Sequence, residues 1–180
     1  KMHKCKITSI DSEHYCIQQS LLENKMDEID SVYLTASGGP FLGMSARSYS
    51  KASITKVINH PRWNMGNKIS VDSATLVNKI FELMEAHVLF GIAINKIKIK
   101  IHKESLIHSA IVLKNGLVKL IAHDTTMLIP IRNSLFDNKF SSQKNNFFNS
   151  KKKIIFNFQE SNLSEFLIVK TGHKVLKMGH

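Results

Sequence analysis

Between residues 73 and 90 the apolar positions recur with the period of a helix. At about 100° per residue, Leu76, Val77, Ile80, Phe81, Leu83, Met84 and Val88 share one broad arc. Thr75, Asn78, Lys79, Glu82 and Glu85 fall on the opposite arc, so the pattern predicts a helix over Ser73 to Phe90 that is mostly wrapped in core but keeps a narrow polar stripe. Asp72 or Ser73 stands where an N-cap belongs, leaving backbone N–H groups free to meet an anion. Elsewhere the period is two. Ile97, Ile99 and Ile101 alternate with Lys96, Lys98 and Lys100, which predicts a half-buried strand over 96–102 with a solvated lysine face. Val32 to Thr35 reads as a second strand, and Ile107 to Leu113 and Leu117 to Ala122 as a hairpin around Asn115-Gly116, a dipeptide that supplies positive φ for a tight turn. Tyr15 to Leu22 reads as a short helix with Gln18 and Gln19 on its wet side, and Phe41 to Asn59 as a polar connection with one or two helical turns. The order predicts an α+β domain, a mixed β-sheet with helices packed against it.

Composition narrows this picture. The chain has 180 residues, 43% of them hydrophobic, enough to bury one modest core. No apolar run reaches membrane-spanning length. Cys5 and Cys16 form neither a metal motif nor a disulfide framework, so a reducing compartment is the default. The formal net charge of +11 raises a nucleic-acid footprint. Alternation of lysine with isoleucine at 96–101 favours a solvated strand face instead, and the tract from Asn138 to Lys153, rich in Asn, Lys and Ser, reads as an exposed or disordered loop. Part of the excess, which also includes Lys103, Lys151 and Lys152, suits an anionic small-molecule ligand.

Three segments carry candidate chemistry. Residues 34–41, Leu-Thr-Ala-Ser-Gly-Gly-Pro-Phe, form a small-residue loop after a strand, where paired glycines let backbone approach a ligand closely. Residues 11–14 are Asp-Ser-Glu-His; in an extended conformation Asp11 and Glu13 point to the same side, and two such carboxylates invite a hard divalent cation. The third is the run from His60 through Trp63 to Ala86.

These stretches, with Ile-His-Lys-Glu-Ser-Leu-Ile-His-Ser at 101–109, occur in the order found in the 1-deoxy-D-xylulose 5-phosphate reductoisomerases of non-mevalonate isoprenoid biosynthesis, which the chain closely resembles. A fainter fifth stretch, from Phe156 to Gly179, is similar to the segment leading into that family's C-terminal domain. The resemblance covers nearly the whole chain but only the middle of the family's own. It implies a catalytic metal- and substrate-binding domain over 1–135, then an exposed loop and linker over 136–180 toward a C-terminal helical domain. No strand, Gly-rich turn and helix of an NADPH-binding Rossmann domain occurs in these residues, and the first residue is Lys1 rather than Met, so a fragment, inactive by itself, is expected.

The resemblance also implies roles. Asp11, Glu13 and Glu82 would be ligands of Mg²⁺ or Mn²⁺, with NADPH as the second cofactor. Ser37, Ser73, Asn78 and Lys79 would bind the substrate phosphate, with His60 reaching it, while Ser12, Glu13 and Glu82 would touch the substrate beside the metal. Glu13, Glu82 and His60 would be the catalytic groups. Trp63 and Met65 match a flap over the site, and Gly66 would approach the nicotinamide. The implied reaction rearranges and reduces 1-deoxy-D-xylulose 5-phosphate to 2-C-methyl-D-erythritol 4-phosphate, in a homodimer without nucleic-acid or membrane partners. His14 and His108 match positions near the family's site; His123, His173 and His180 match nothing informative. Ile80 replaces the family's usual Gly, a change that apolar packing is expected to absorb, and Thr125-Thr126-Met127 replaces Pro-Asp-Met. His102-Lys-Glu-Ser, with the Lys, Asn and Ile bias, looks like members that work in an apicomplexan plastid (apicoplast), ahead of a bacterial cytoplasmic origin. Two alternatives stand beside this: a catalytically inactive member, and a basic module that binds RNA or an acidic partner.

Overall fold

A computed structural model describes residues 7–44, 46–49, 51–137, 148, 153–160 and 167–178. Cys5, Lys151, Lys152, His180 and nearly all of the 138–153 tract lie outside the described residues. Among the described residues five strands make one mixed sheet: β1 (Ile29–Ala36), β2 (Ile97–Ile101), β3 (Ile107–Leu113), β4 (Val118–Ala122) and β5 (Gln159–Glu160), in the order β4-β3-β1-β2-β5. β1 runs parallel to β2, with Val32 opposite Ile97, and antiparallel to β3. The described residues confirm the α+β expectation and the period-two strand. Ile97, Ile99 and Ile101 are buried, and Lys98 stands exposed with its ammonium 5.4 Å from the centre of the Tyr33 ring.

The β3–β4 hairpin closes as expected at Asn115-Gly116, though of the two only Gly116 takes positive φ (+88°). Gly116 N–H donates to Leu113 O and Leu113 N–H to Leu117 O, the three-residue loop whose last position is left-handed. Two helices, α1 (Ser12–Leu21) and α5 (Val77–Phe90), lie against the sheet, and Ile17, Leu34, Leu83, Ile99 and Ile111 meet in the core. The remaining helices are α2 (Ala46–Tyr49), α3 (Ile54–Ile58), α4 (Asn67–Ala74), α6 (Leu128–Leu135) and α7 (Leu167–Met178). The two short turns in the 41–59 connection are α2 and α3.

The single helix expected from Ser73 is two helices. α4 ends at Ala74, Leu76 takes a left-handed conformation (φ 60°), and α5 begins at Val77. The Thr75 hydroxyl lies 3.0 Å from Val71 O and 3.3 Å from Asp72 O, competing for the carbonyls that a continuous helix would use. Asp72 and Ser73 are therefore in the last turn of α4 and are not caps. A left-handed leucine costs on the order of 1 kcal/mol, sustained here because its side chain is buried in the core. The Gly-Gly loop packs on this break: a Cβ at Gly39, whose φ is +61°, would stand 3.1 Å from Ser73 O and 3.2 Å from Ala74 Cα.

The burial of α5 also departs from its pattern. Lys79 and Glu82, on the polar arc, are 6% and 3% exposed, whereas Phe81 and Val88, on the apolar arc, are 50% and 74% exposed. Charges tolerate burial when they are paired, and these are.

Residues 136–180, expected as loop and linker, include β5, which pairs with β2 and carries Glu160 in an ion pair with Lys100, and α7, which packs on α5. That packing explains Ile80. A Cβ on Gly172 would lie 2.4 Å from Ile80 Cγ2, so the larger residue on α5 is matched by the absence of a side chain on α7. Gly172→Ala is expected to destabilise the chain by about 1–3 kcal/mol through overpacking against a stiff β-branched neighbour. In an Ile80→Ala background the same change should become neutral or stabilising, because helix propensity favours Ala over Gly by about 1 kcal/mol. Urea unfolding of the four proteins of the double-mutant cycle measures the reversal.

Candidate active site

Asp11 is the N-cap of α1, its Oδ1 accepting from the backbone N–H groups of Glu13 and His14, both at 3.1 Å. The extended Asp11–Glu13 geometry expected from sequence is thus replaced by a cap and a first helical turn, in which the carboxylates are neighbours for a different reason. His14 bridges the helices. Its Nε2 donates to Glu82 O at 2.8 Å, and its Nδ1 lies 3.3 Å from Asp11 Oδ1 and 3.5 Å from Glu85 Oε2. This clasp brings Glu82 on α5 to the start of α1, so that one oxygen from each of Asp11, Glu13 and Glu82 lies within 4.8 Å of the other two.

Lys79 sits in this cluster. Its Nζ donates to Glu13 Oε1 at 3.0 Å and Glu82 Oε2 at 2.5 Å, while Ser12 Oγ donates to Glu13 Oε2 at 2.6 Å and Asn78 Nδ2 to Glu82 Oε1 at 2.5 Å. One ammonium cannot balance three carboxylates. Burial opposes the charge on Glu13, but Lys79, His108 and the Ser12 hydroxyl outweigh it and hold that carboxyl at about 2. Burial, then the charge of Glu13, pushes Glu82 well above the usual carboxylate range; the same two causes raise Asp11.

The cluster forms one wall of a cavity of about 550 Å³, a size suited to a small metabolite. Ser37, His60, Trp63, Met65, Ser73, Asn78 and His108 also line it. Gly66 does not; it is the exposed N-cap of α4, one residue beyond Met65, with nothing within 4 Å of an added Cβ. α5 starts beside the cavity with no side-chain cap and no acidic residue in its first turn, so the helix start open to an anion lies at Val77 and not after Asp72 or Ser73 as expected.

His60 organises the loop opposite. Its Nδ1 accepts from the N–H groups of Arg62 and Trp63, at 3.2 and 2.9 Å, which leaves the proton on Nε2 to reach Ser37 Oγ at 2.9 Å. Burial lowers its pKa, in keeping with that neutral tautomer. His108, buried and pushed down to about 4 by that burial, stacks on His123 at 3.8 Å and meets the edge of Trp63 at 6.0 Å.

Some lining residues have no signal in the sequence pattern. Ser105 is buried at φ 53° with its hydroxyl unpartnered, and Thr125, Met127, Leu128 and Ile131 close the cavity from the segment entering α6. Only their place in or near matched motifs pointed to them.

Three carboxylates with oxygen donors alone fit a hard divalent cation such as Mg²⁺ or Mn²⁺. Comparison with known proteins agrees with this chemistry. Residues 7–90 match the family described as the 1-deoxy-D-xylulose 5-phosphate reductoisomerase C-terminal domain. The chain is 38% identical to the 1-deoxy-D-xylulose 5-phosphate reductoisomerase of Pelagibacter ubique, across 99% of this chain and 50% of that protein. The corresponding protein of Aquifex aeolicus is 45% identical across 73% of this chain and 34% of its own length. A crystal structure of DOX-P reductoisomerase in complex with NADPH, fosmidomycin and magnesium superposes with a TM-score of 0.86 at 30% identity, covering 99% of this chain and 46% of the other. The Zymomonas mobilis enzyme in complex with NADPH gives 0.80 at 29% identity, covering 94% and 44%. The chain thus spans half or less of the length of these relatives.

Proposed function

From the premise that this chain belongs to the 1-deoxy-D-xylulose 5-phosphate reductoisomerase family, we propose that it forms the metal- and sugar-phosphate-binding part of such an enzyme. The reaction would convert 1-deoxy-D-xylulose 5-phosphate to 2-C-methyl-D-erythritol 4-phosphate with NADPH. The observation that carries this reading is the convergence of Asp11, Glu13 and Glu82 within 4.8 Å on the wall of a cavity that Ser37, Ser73, Asn78 and Lys79, hydrogen-bond donors suited to a phosphate, also line.

Asp11, Glu13 and Glu82 would hold Mg²⁺ or Mn²⁺, which when bound supplies Lewis-acid polarisation of substrate oxygens. The protein's own groups do the rest. Ser37, Ser73, Asn78 and Lys79, with the open start of α5, grip the phosphate, and that remote grip holds the reacting carbons against the carboxylate cluster. His60 keeps its Nε2 proton directed at Ser37 and so orients the hydroxyl in the phosphate cradle. Ser12 positions Glu13. Trp63 and Met65, which line the cavity, would belong to a flap that closes over it and excludes water. Gly66 leaves open space for the nicotinamide.

Residues 1–135 are the catalytic unit in this proposal and 136–180 lead toward a C-terminal helical domain. NADPH oxidation then requires the dinucleotide-binding domain of the full-length protein, which would work as a homodimer. No helix among the described residues is long and apolar enough to cross a membrane. The expected plastid (apicoplast) location gains no support from the relatives above, which come from Pelagibacter, Aquifex and Zymomonas.

The test is Mn²⁺ binding followed by calorimetry across pH. Burial and the charge of Glu13 hold Asp11 and Glu82 above the ordinary carboxylate range, so protons compete with the ion for these carboxyls as pH falls. Binding should therefore release protons, and affinity should fall as pH falls, by up to about tenfold per pH unit for each proton displaced. An affinity independent of pH, or no binding at all, contradicts the assignment.

A further inference from the structure

All four oxygens of Glu13 and Glu82 are already engaged, by Ser12, Asn78 and twice by Lys79. A divalent cation held by Asp11, Glu13 and Glu82 takes an oxygen from each glutamate, and each of those oxygens already accepts from one of these donors, so the ion must share the carboxylates with them. Lys79 is the donor the two glutamates share, and the only charged one of the three. A dication beside it repels it, while Ser12 and Asn78 are neutral and can stay. The ammonium is also buried, without bulk water to receive it. Its nearest alternative is the same cavity, whose wall it shares with Ser37, Ser73 and the uncapped first turn of α5.

We propose that Lys79 is a transferable counter-ion: cation entry moves its ammonium from the carboxylates to the phosphoryl group of the substrate, so that cation and phosphate bind with positive coupling. This rests on the function proposed above and adds an order to it. Before the cation arrives, the strongest donor of the phosphate cradle is occupied by Glu13 and Glu82. Afterwards it is free for an anion, and by reciprocity a bound phosphate that draws Lys79 away makes room for the cation.

Calorimetric titration of inorganic phosphate into the full chain, with and without saturating Mg²⁺, tests this. Mg²⁺ should tighten phosphate binding by about tenfold in the unaltered protein and by less than about twofold in Lys79→Met. Lys79→Met should also bind Mg²⁺ more tightly than the unaltered chain, because the competing ammonium is gone. Coupling that survives in Lys79→Met overturns the proposal, since phosphate would then contact the ion directly. If Lys79→Met does not fold, ¹⁵N-lysine spectra of the unaltered chain decide: the Lys79 Nζ resonance must shift on adding Mg²⁺ and again on adding phosphate, and a stationary resonance overturns the transfer. Mg²⁺ bound by the unaltered chain and lost in Glu82→Gln, with phosphate affinity unchanged by Mg²⁺, sinks the coupling alone. No Mg²⁺ binding at all sinks the proposed function with it.

Discussion

Glu82→Gln is expected to weaken Mn²⁺ binding by at least about 100-fold, the upper end of what losing even a supporting contact to a metal ligand costs. In the full-length protein it should remove metal-dependent turnover. The fold should survive. Glutamine keeps the shape of Glu82, Lys79 keeps Glu13 as its partner, and Asn78 can turn its amide to offer an oxygen instead of a donor. Stability in the absence of metal should even rise slightly, since the change removes one of three carboxylates crowded around a single ammonium. Circular dichroism and thermal melts separate fold from affinity; a variant that binds Mn²⁺ like the unaltered chain removes Glu82 from the ligand set.

Lys79→Met has the opposite consequence for stability. Removing one partner from a buried ionic cluster costs about 3–5 kcal/mol, because the remaining charges stay buried without compensation. For a chain of this size, that corresponds to a melting point lower by about 10 °C or more. The sign of the pH dependence follows from Glu82, whose raised pKa lets it take up a proton and relieve the cluster as pH falls. The loss should therefore be larger at pH 8 than at pH 5.5. Saturating Mn²⁺ should restore most of it by supplying the missing positive charge and by mass action. A melting point unaffected by the substitution would mean that Lys79 does not hold these carboxylates together.

The strands β1 to β4 were legible because their signal is local, whereas the two-residue β5 fell in a stretch read as linker. Alternation at 96–101 and the Asn115-Gly116 turn need no distant information, and the structure departs from them by a residue or so. The break at Leu76 was not legible. Periodicity runs through it without interruption, and a left-handed leucine has no compositional signature; it is stabilised by burial, which is a property of the finished fold. The inverted burial on α5 has a related origin. Pattern reading sends Lys79 and Glu82 to solvent, yet both are inside because Glu13 and Asp11, far away along the chain, are there to meet them. Such a meeting is invisible to spacing. It entered the sequence reading only through resemblance, which also proposed Ser37 and His60 together, residues that the structure joins by a hydrogen bond. Ile80 is the reverse case: as a departure from the family it stood out at once, but its compensation at Gly172 appears only when α7 is seen against α5.

Asp11 joins architecture to ion chemistry in one side chain. Because its Oδ1 is fixed by two amides of the helix it caps, the carboxylate is aimed by the backbone itself and needs no gathering when a ligand arrives. The entropy of orienting that arm is lost once, during folding, and an incoming ion meets a preorganised group. Position 11 is accordingly a poor place to tune affinity by mutagenesis, since any residue that abandons the amides also frays the first turn carrying Glu13.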